Sequence, residues 1–141
     1  QVVIQQSAGA GGQPRAIPGE KSDEESVATA IRNAMEYRPG RPVAREGLQV
    51  KTVLPRWSAT TRVVARPENA IVRIEFSRSG RVIMAEFVKH DGKVGTGYKD
   101  VDGPLLDAVY RWTAKGKDLE ALLGTDPDAT LCVVIRFYMR S

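Results

Sequence analysis

The sequence lacks any long apolar run. Its longest apolar stretches cover only a few residues, as in Val133 to Ile135, whereas a helix needs roughly 20 apolar residues to cross a bilayer. The 141 residues therefore contain no predicted membrane-spanning segment. The chain begins with Gln1 rather than methionine, so we expect a processed form or a fragment of a longer parent protein.

Cysteine and histidine, which often serve as catalytic residues or metal ligands, are also scarce. The single cysteine, Cys132, excludes an internal disulfide. His90 is the only histidine, and although Asp91 follows it, no nucleophile stands in a defined relation to the pair. Asp102 is better explained as a helix cap, and Asp107 as a charge in the first turn of the helix, than as metal ligands. The sequence therefore predicts no catalytic residue, no metal site and no cofactor.

The positive charge is small and lies in one part of the chain. The formal net charge is +4, with 21 basic and 17 acidic residues. Residues 1–47 carry six of each, so the whole excess belongs to residues 48–141. Nucleic-acid binders present a clustered basic stripe, which is missing here, so we expect no nucleic-acid partner.

Glycine and proline divide the chain into a linker-like segment, residues 1–47, and a compact domain, residues 48–141. A helix is predicted over residues 23–37, because Ser22 and Glu25 fit a capping box and Pro39-Gly40 ends the pattern. Its apolar stripe is narrow and consists of Val27, Ile31, Ala34 and Met35.

Alternating and helical patterns follow one another in the compact domain. The predicted elements are a strand over 48–54, a hairpin formed by 70–76 and 82–88, a helix over 102–115 and a last strand over 130–139. This order predicts an α+β fold. A small antiparallel sheet of about three strands (β-hairpin, helix, β-strand) would carry one main helix packed on it. Such a sheet has two edges, and an open edge can accept an incoming strand.

Residues 69–139, about half of the chain, resemble the C-terminal domain of TonB, the periplasmic energy transducer. The resemblance lies in the order and spacing of several short segments. They are Val72-Arg73-Ile74-Glu75-Phe76, Gly80-Arg81-Val82, Phe87-Val88, Ala108-Val109-Tyr110-Arg111-Trp112 and Val133-Val134-Ile135-Arg136-Phe137. Pro55-Arg56-Trp57-Ser58 departs from the family's Pro-x-Tyr-Pro segment, with Trp in place of Tyr and Ser in place of Pro.

The resemblance implies a periplasmic domain anchored to the inner membrane in the full-length parent. ExbB- and ExbD-like proteins would couple it to the proton-motive force through that anchor. The domain would bind the box segment of an outer-membrane TonB-dependent receptor, which adds as a strand beside the last strand. TolA, an envelope scaffold that links the two membranes, has a similar domain shape and remains the alternative.

The expected partner-binding residues follow from this mode of binding. The last strand would pair through its backbone, and Arg136 could also pair with an acidic residue of the incoming peptide. Tyr138 and Trp57 could contact the partner or pack within the domain. The same open edge could pair with a second copy of the chain and give a homodimer. The residues predicted to bind the partner are Val133, Val134, Ile135, Arg136, Phe137, Tyr138 and Trp57.

Overall fold

The computed structural model describes residues 29–39 and 41–139. The strands are β1 (Met35–Tyr37), β2 (Val43–Arg45), β3 (Leu48–Lys51), β4 (Ala70–Ser77), β5 (Val82–Phe87), β6 (Thr113–Lys115) and β7 (Thr130–Phe137). The helices are α1 (Ala59–Val64), α2 (Lys99–Val109) and α3 (Lys117–Glu120), and residues 29–32 are also helical.

The main sheet has four strands in the order β1-β7-β4-β5. The β4–β5 hairpin is antiparallel, and β7 pairs with β4 along all eight residues of both strands. The alternation of apolar residues explains why β4 lies inside the sheet. Val72, Ile74 and Phe76 point to the same face and are completely buried there. Strand β1 adds to the other side of β7 and runs parallel to it.

The α+β class predicted from the sequence is confirmed, but the predicted sheet is too small. The hairpin and the last strand do form neighbouring strands, and the main sheet then gains β1 as a fourth. A second sheet of three strands, in the order β2-β3-β6, was not predicted. Strand β3 forms the first part of the strand predicted over residues 48–54, but β2 and β6 have only three residues each, too few for a periodic pattern to reveal them.

The β4–β5 hairpin joins the two sheets. Gly80, in the turn, accepts a hydrogen bond from Ala114 N to its carbonyl oxygen at 2.8 Å, and Arg81 bridges to Thr113. Gly80 has a φ of 85°, and a Cβ there would collide with the carbonyl oxygen of Ala114. Glycine is therefore required at this close approach by both conformation and space.

Helix α2 covers one face of the main sheet. Its buried residues are Val101, Leu105, Ala108 and Val109, which share one side of the helix. The predicted helix, 102–115, is shifted, because the observed one begins at Lys99 and ends at Val109. The carboxylate of Asp102 does not cap the helix; it accepts bonds from the backbone nitrogen and the hydroxyl of buried Thr96, at 2.9 and 2.6 Å.

Three aromatic rings form the centre of the core. The ring of Tyr37 lies 4.8 Å from that of Phe137 and 5.3 Å from that of Trp112, and the last two rings stack at 5.5 Å. The indole nitrogen of Trp112 donates to Val53 O at 3.2 Å, so the buried donor is satisfied. The three rings therefore connect β1, the end of β7 and Trp112, which lies just after α2.

The helix predicted over residues 23–37 is wrong at its C-terminal end. Residues 29–32 are helical, but Met35–Tyr37 form a strand, and residues 23–28 lie outside the described part. The reason is tertiary: Met35 and Tyr37 are buried in the core while Glu36 between them is exposed. The predicted division at residue 47 falls in the turn between β2 and β3.

Candidate functional site

The outer edge of β5 is closed at two points. The hydroxyl of Tyr110, at the end of α2, accepts from Ala85 N at 3.0 Å and donates to Ala85 O at 3.3 Å. The bridge between Arg81 and Thr113 closes the same edge beside the hairpin turn. These contacts occupy backbone groups that would otherwise be available to another chain.

Tyr110→Phe is expected to lower the free energy of unfolding by about 1 kcal/mol, because one hydroxyl serves two backbone groups. The freed edge should also increase self-association, measured by sedimentation velocity alongside urea unfolding. Tyr98→Phe is the matched control, since Tyr98 is 37% exposed and its hydroxyl makes no hydrogen bond with the described residues. Equal behaviour of the two variants would show that Tyr110 does not protect the edge.

Strand β7 directs its backbone groups alternately to its two sides. Tyr138 N donates to Tyr37 O at 2.9 Å, so the backbone groups of Tyr138 face β1. Every second residue of a strand points its N–H and C=O the same way, so alternate residues of β7 direct these groups to the side on which β1 lies. These residues are Thr130, Cys132, Val134 and Arg136, whereas Leu131, Val133, Ile135 and Phe137 face β4.

The pairing shifts the predicted docking position. Ile135, Arg136 and Phe137 already have a strand on both sides, β4 on one and β1 on the other. While β1 is in place, these three residues have no free side for an incoming strand. Val133 directs its backbone groups to β4, and Val134 directs its own to the opposite side, where no strand pairs with it among the described residues.

Residues 130–134 of β7, here called the open stretch, have a strand partner on the β4 side alone within the described part of the chain. Val133 is buried in the core, and Cys132 and Val134 are half-buried on the opposite face. Burial raises the pKa of the Cys132 thiol, so this side chain stays neutral. The open stretch therefore offers backbone hydrogen-bonding groups between uncharged side chains.

Arg136 and Tyr138 contact the segment that precedes and follows β1. Arg136 Nη2 donates to Ile31 O at 3.3 Å. The hydroxyl of Tyr138 donates to a carboxylate oxygen of Glu36 at 3.2 Å, and the guanidinium of Arg38 lies 3.9 Å from the centre of the Tyr138 ring. Both side chains predicted to meet a partner thus meet residues of the same chain.

Trp57 also has an internal partner. Its indole nitrogen donates to Val101 O at 3.1 Å, and its ring packs against the core while remaining partly exposed. Of the two readings left open by the sequence, the structure shows the core contact. Together with the bond from Trp112 to Val53, it holds the segment between β3 and α1 against α2.

No group of three or more potential metal ligands occurs in the described residues. His90 lies in a tight turn, with its Nε2 atom 3.4 Å from a carboxylate oxygen of the exposed Asp91. Among the same residues no helix has the length and apolar character needed to cross a membrane.

The chain was compared with family models, with curated proteins and with solved structures. None of the three comparisons found a match.

Proposed function

We propose that the chain is the peptide-binding domain of a TonB-like energy transducer, which acts by β-strand addition. The observation that carries the proposal is the open stretch of β7, whose residues Thr130, Cys132 and Val134 direct their backbone groups away from β4 and have no strand paired on that side among the described residues. Backbone groups recognise an extended peptide with little demand on its side chains. This suits a domain that binds several receptors through one short segment.

The closed edge of β5 supports the same proposal. Because the Tyr110 hydroxyl occupies Ala85 on that edge, an incoming strand meets available backbone groups on the β7 side of the main sheet. Within the main sheet, the partner is then directed to the side of β7. Pulling along an added strand loads several hydrogen bonds together, so a short contact can carry force.

The remaining parts of the proposal come from the family resemblance. The domain lies in the periplasm and hangs from an inner-membrane anchor of the full-length parent. ExbB- and ExbD-like proteins act on that anchor. The domain itself binds the box segment of an outer-membrane receptor. A catalytic residue, a metal or a cofactor is not required for this activity.

The proposal is tested by titrating a synthetic receptor-box peptide into the isotope-labelled chain. Amide shifts are expected for residues 130–134 of β7 and for their neighbours on β4. A peptide of the same composition in scrambled order, with proline at alternate positions, is the control because it cannot pair as a strand. Shifts confined to other surfaces, or no shifts at millimolar peptide, would refute the proposal.

Self-association is a competing use of the same edge. A homodimer formed through the open stretch would shift the same amides as protein concentration rises, without peptide. Sedimentation velocity across the concentration range of the titration separates the two, since peptide binding leaves the mass that of one chain plus one peptide.

A further inference from the structure

The outer face of the second sheet carries three basic side chains around one residue. Strand pairing places Lys51 directly opposite Thr113, and Arg81 pairs with Thr113 from the other side. Lys115 follows two residues later on the same strand, so it points to the same face. The Cβ atoms of all three therefore lie within about 5–7 Å of that of Thr113. Lys51, Arg81 and Lys115 are exposed and are here called the basic face.

The backbone beneath the basic face is held in place. Ala114 N donates to the carbonyl oxygen of Gly80 at 2.8 Å, which fixes the hairpin turn against β6. Val43 and Val50 are buried and attach β2 and β3 to the core. The basic side chains thus project from a preformed surface, which lowers the entropy lost when a partner binds.

No acidic residue neutralises these cations within the second sheet, since its three strands contain no aspartate or glutamate. Glu46 lies in the turn between β2 and β3, at the end of β3 away from Lys51. Asp118, in α3, pairs with Arg45. Among the residues that the structure describes, no ion pair involves the basic face.

The main sheet shows the opposite arrangement. Nη2 of Arg73 lies 2.8 Å from a carboxylate oxygen of Glu86 and 3.8 Å from one of Glu75. The positive charge on that sheet is therefore balanced by residues of the same chain. On the second sheet the three like charges repel one another unless an anion lies between them.

A shallow hollow of about 530 Å³ lies on the same sheet. Its lining combines Lys51 and Lys115 with the uncharged side chains of Pro42, Ala44 and Gln49. We infer that the basic face and this hollow bind an acidic protein segment, whose carboxylates meet the cations while an uncharged side chain enters the hollow. The surface lies on a different sheet from the open stretch, so the inference goes beyond the proposed function and does not depend on it.

The observations favour a protein segment over a lipid surface or a nucleic acid. Basic clusters that bind anionic membranes typically contain roughly four to eight Lys or Arg residues, more than the three of the basic face. A bilayer is nearly flat on this scale, whereas the cations here border a hollow that a protruding segment can enter. A nucleic acid would require a longer basic stripe.

Peptide titration of the isotope-labelled 141-residue chain tests the inference. The probe is a short capped polyglutamate peptide with leucine at its centre. At low salt it should shift the amides of 49–51, 81 and 113–115 and leave those of 130–134 unchanged. Raising the salt from about 20 to about 300 mM should weaken binding by about threefold or more, because exposed charges are screened. The same peptide with glutamine in place of glutamate should bind about tenfold more weakly.

Charge-removing variants identify the surface. The triple variant Lys51→Gln, Arg81→Gln, Lys115→Gln should weaken binding by about tenfold or more, since each exposed ion pair contributes about two- to fivefold. Lys89→Gln is the matched control, because it removes an exposed cation outside the second sheet, and its affinity should change by less than about twofold. All four side chains are exposed, so circular dichroism should show an unchanged fold.

Four results would overturn the inference. The first is the absence of amide shifts with millimolar glutamate peptide at low salt. The second is equal affinity of the triple variant and Lys89→Gln, and the third is equal affinity for the glutamate and glutamine peptides. The fourth is binding to vesicles of equimolar phosphatidylglycerol and phosphatidylcholine that is stronger than peptide binding and is lost in the triple variant, which would make the basic face a lipid site.

Discussion

Tyr37→Ala is expected to lower the free energy of unfolding by about 3–5 kcal/mol. The ring is 3% exposed and contacts Phe137 and Trp112, so its removal leaves a cavity at the centre of the core. This is a large part of the 5–15 kcal/mol that stabilises a typical domain. Urea unfolding followed by Trp fluorescence and by far-UV circular dichroism measures the loss.

Tyr37→Phe is the matched control, because it keeps the ring and removes a hydroxyl that bonds to no described residue. Burial raises the pKa of Tyr37, consistent with a hydroxyl held away from water. The control should change stability by less than about 1 kcal/mol. If Tyr37→Ala also cost less than 1 kcal/mol, β1 would be peripheral and the linker-like description of residues 1–47 would stand.

Cys132→Pro is expected to weaken peptide binding by about tenfold or more. The N–H of Cys132 faces outward at the centre of the open stretch, so proline removes a bond to the incoming strand and places its ring in the way. The fold should tolerate the change, since that N–H is not used in pairing with β4. Calorimetric titration with the receptor-box peptide gives the affinity, and circular dichroism checks the fold.

Cys132→Val separates the backbone from the side chain. It retains the N–H, suits a strand and occupies a similar volume, so its peptide affinity should lie within about threefold of that of the parent chain. Equal affinity in both variants would show that the peptide does not pair with this edge. Equal loss in both would place recognition in the thiol side chain rather than in the backbone.

Local patterns predicted the part of the fold that is built from neighbouring residues. The alternation of Val72, Ile74 and Phe76 predicted β4, and the Gly80 turn predicted its hairpin partner. The sequence could not predict that Met35–Tyr37 would pair with residues 135–137, which lie about a hundred positions later. Three residues carry too little pattern, and the preceding apolar stripe favoured a continued helix.

The last strand, which carries the candidate site, was predicted from the sequence, but the strand that covers part of its edge was not. A long alternating last strand identified β7, yet nothing in its own side chains shows which part of its edge another segment covers. The apolar-charged-apolar order of Met35, Glu36 and Tyr37 was the available signal for a covering strand. Trp57 and Tyr138 were ambiguous for a related reason, because a partly exposed aromatic residue can serve either the core or a partner.

The central claim is that β7 has an open edge over residues 130–134, and amide hydrogen exchange in the free chain tests it most directly. Leu131 and Val133 should exchange slowly because they bond to β4, and Arg136 and Tyr138 slowly because they bond to β1. Cys132 should exchange at least tenfold faster than both neighbours, since its N–H faces the open side. Protection of Cys132 equal to that of Val133 would show that the edge is already occupied and would contradict the account.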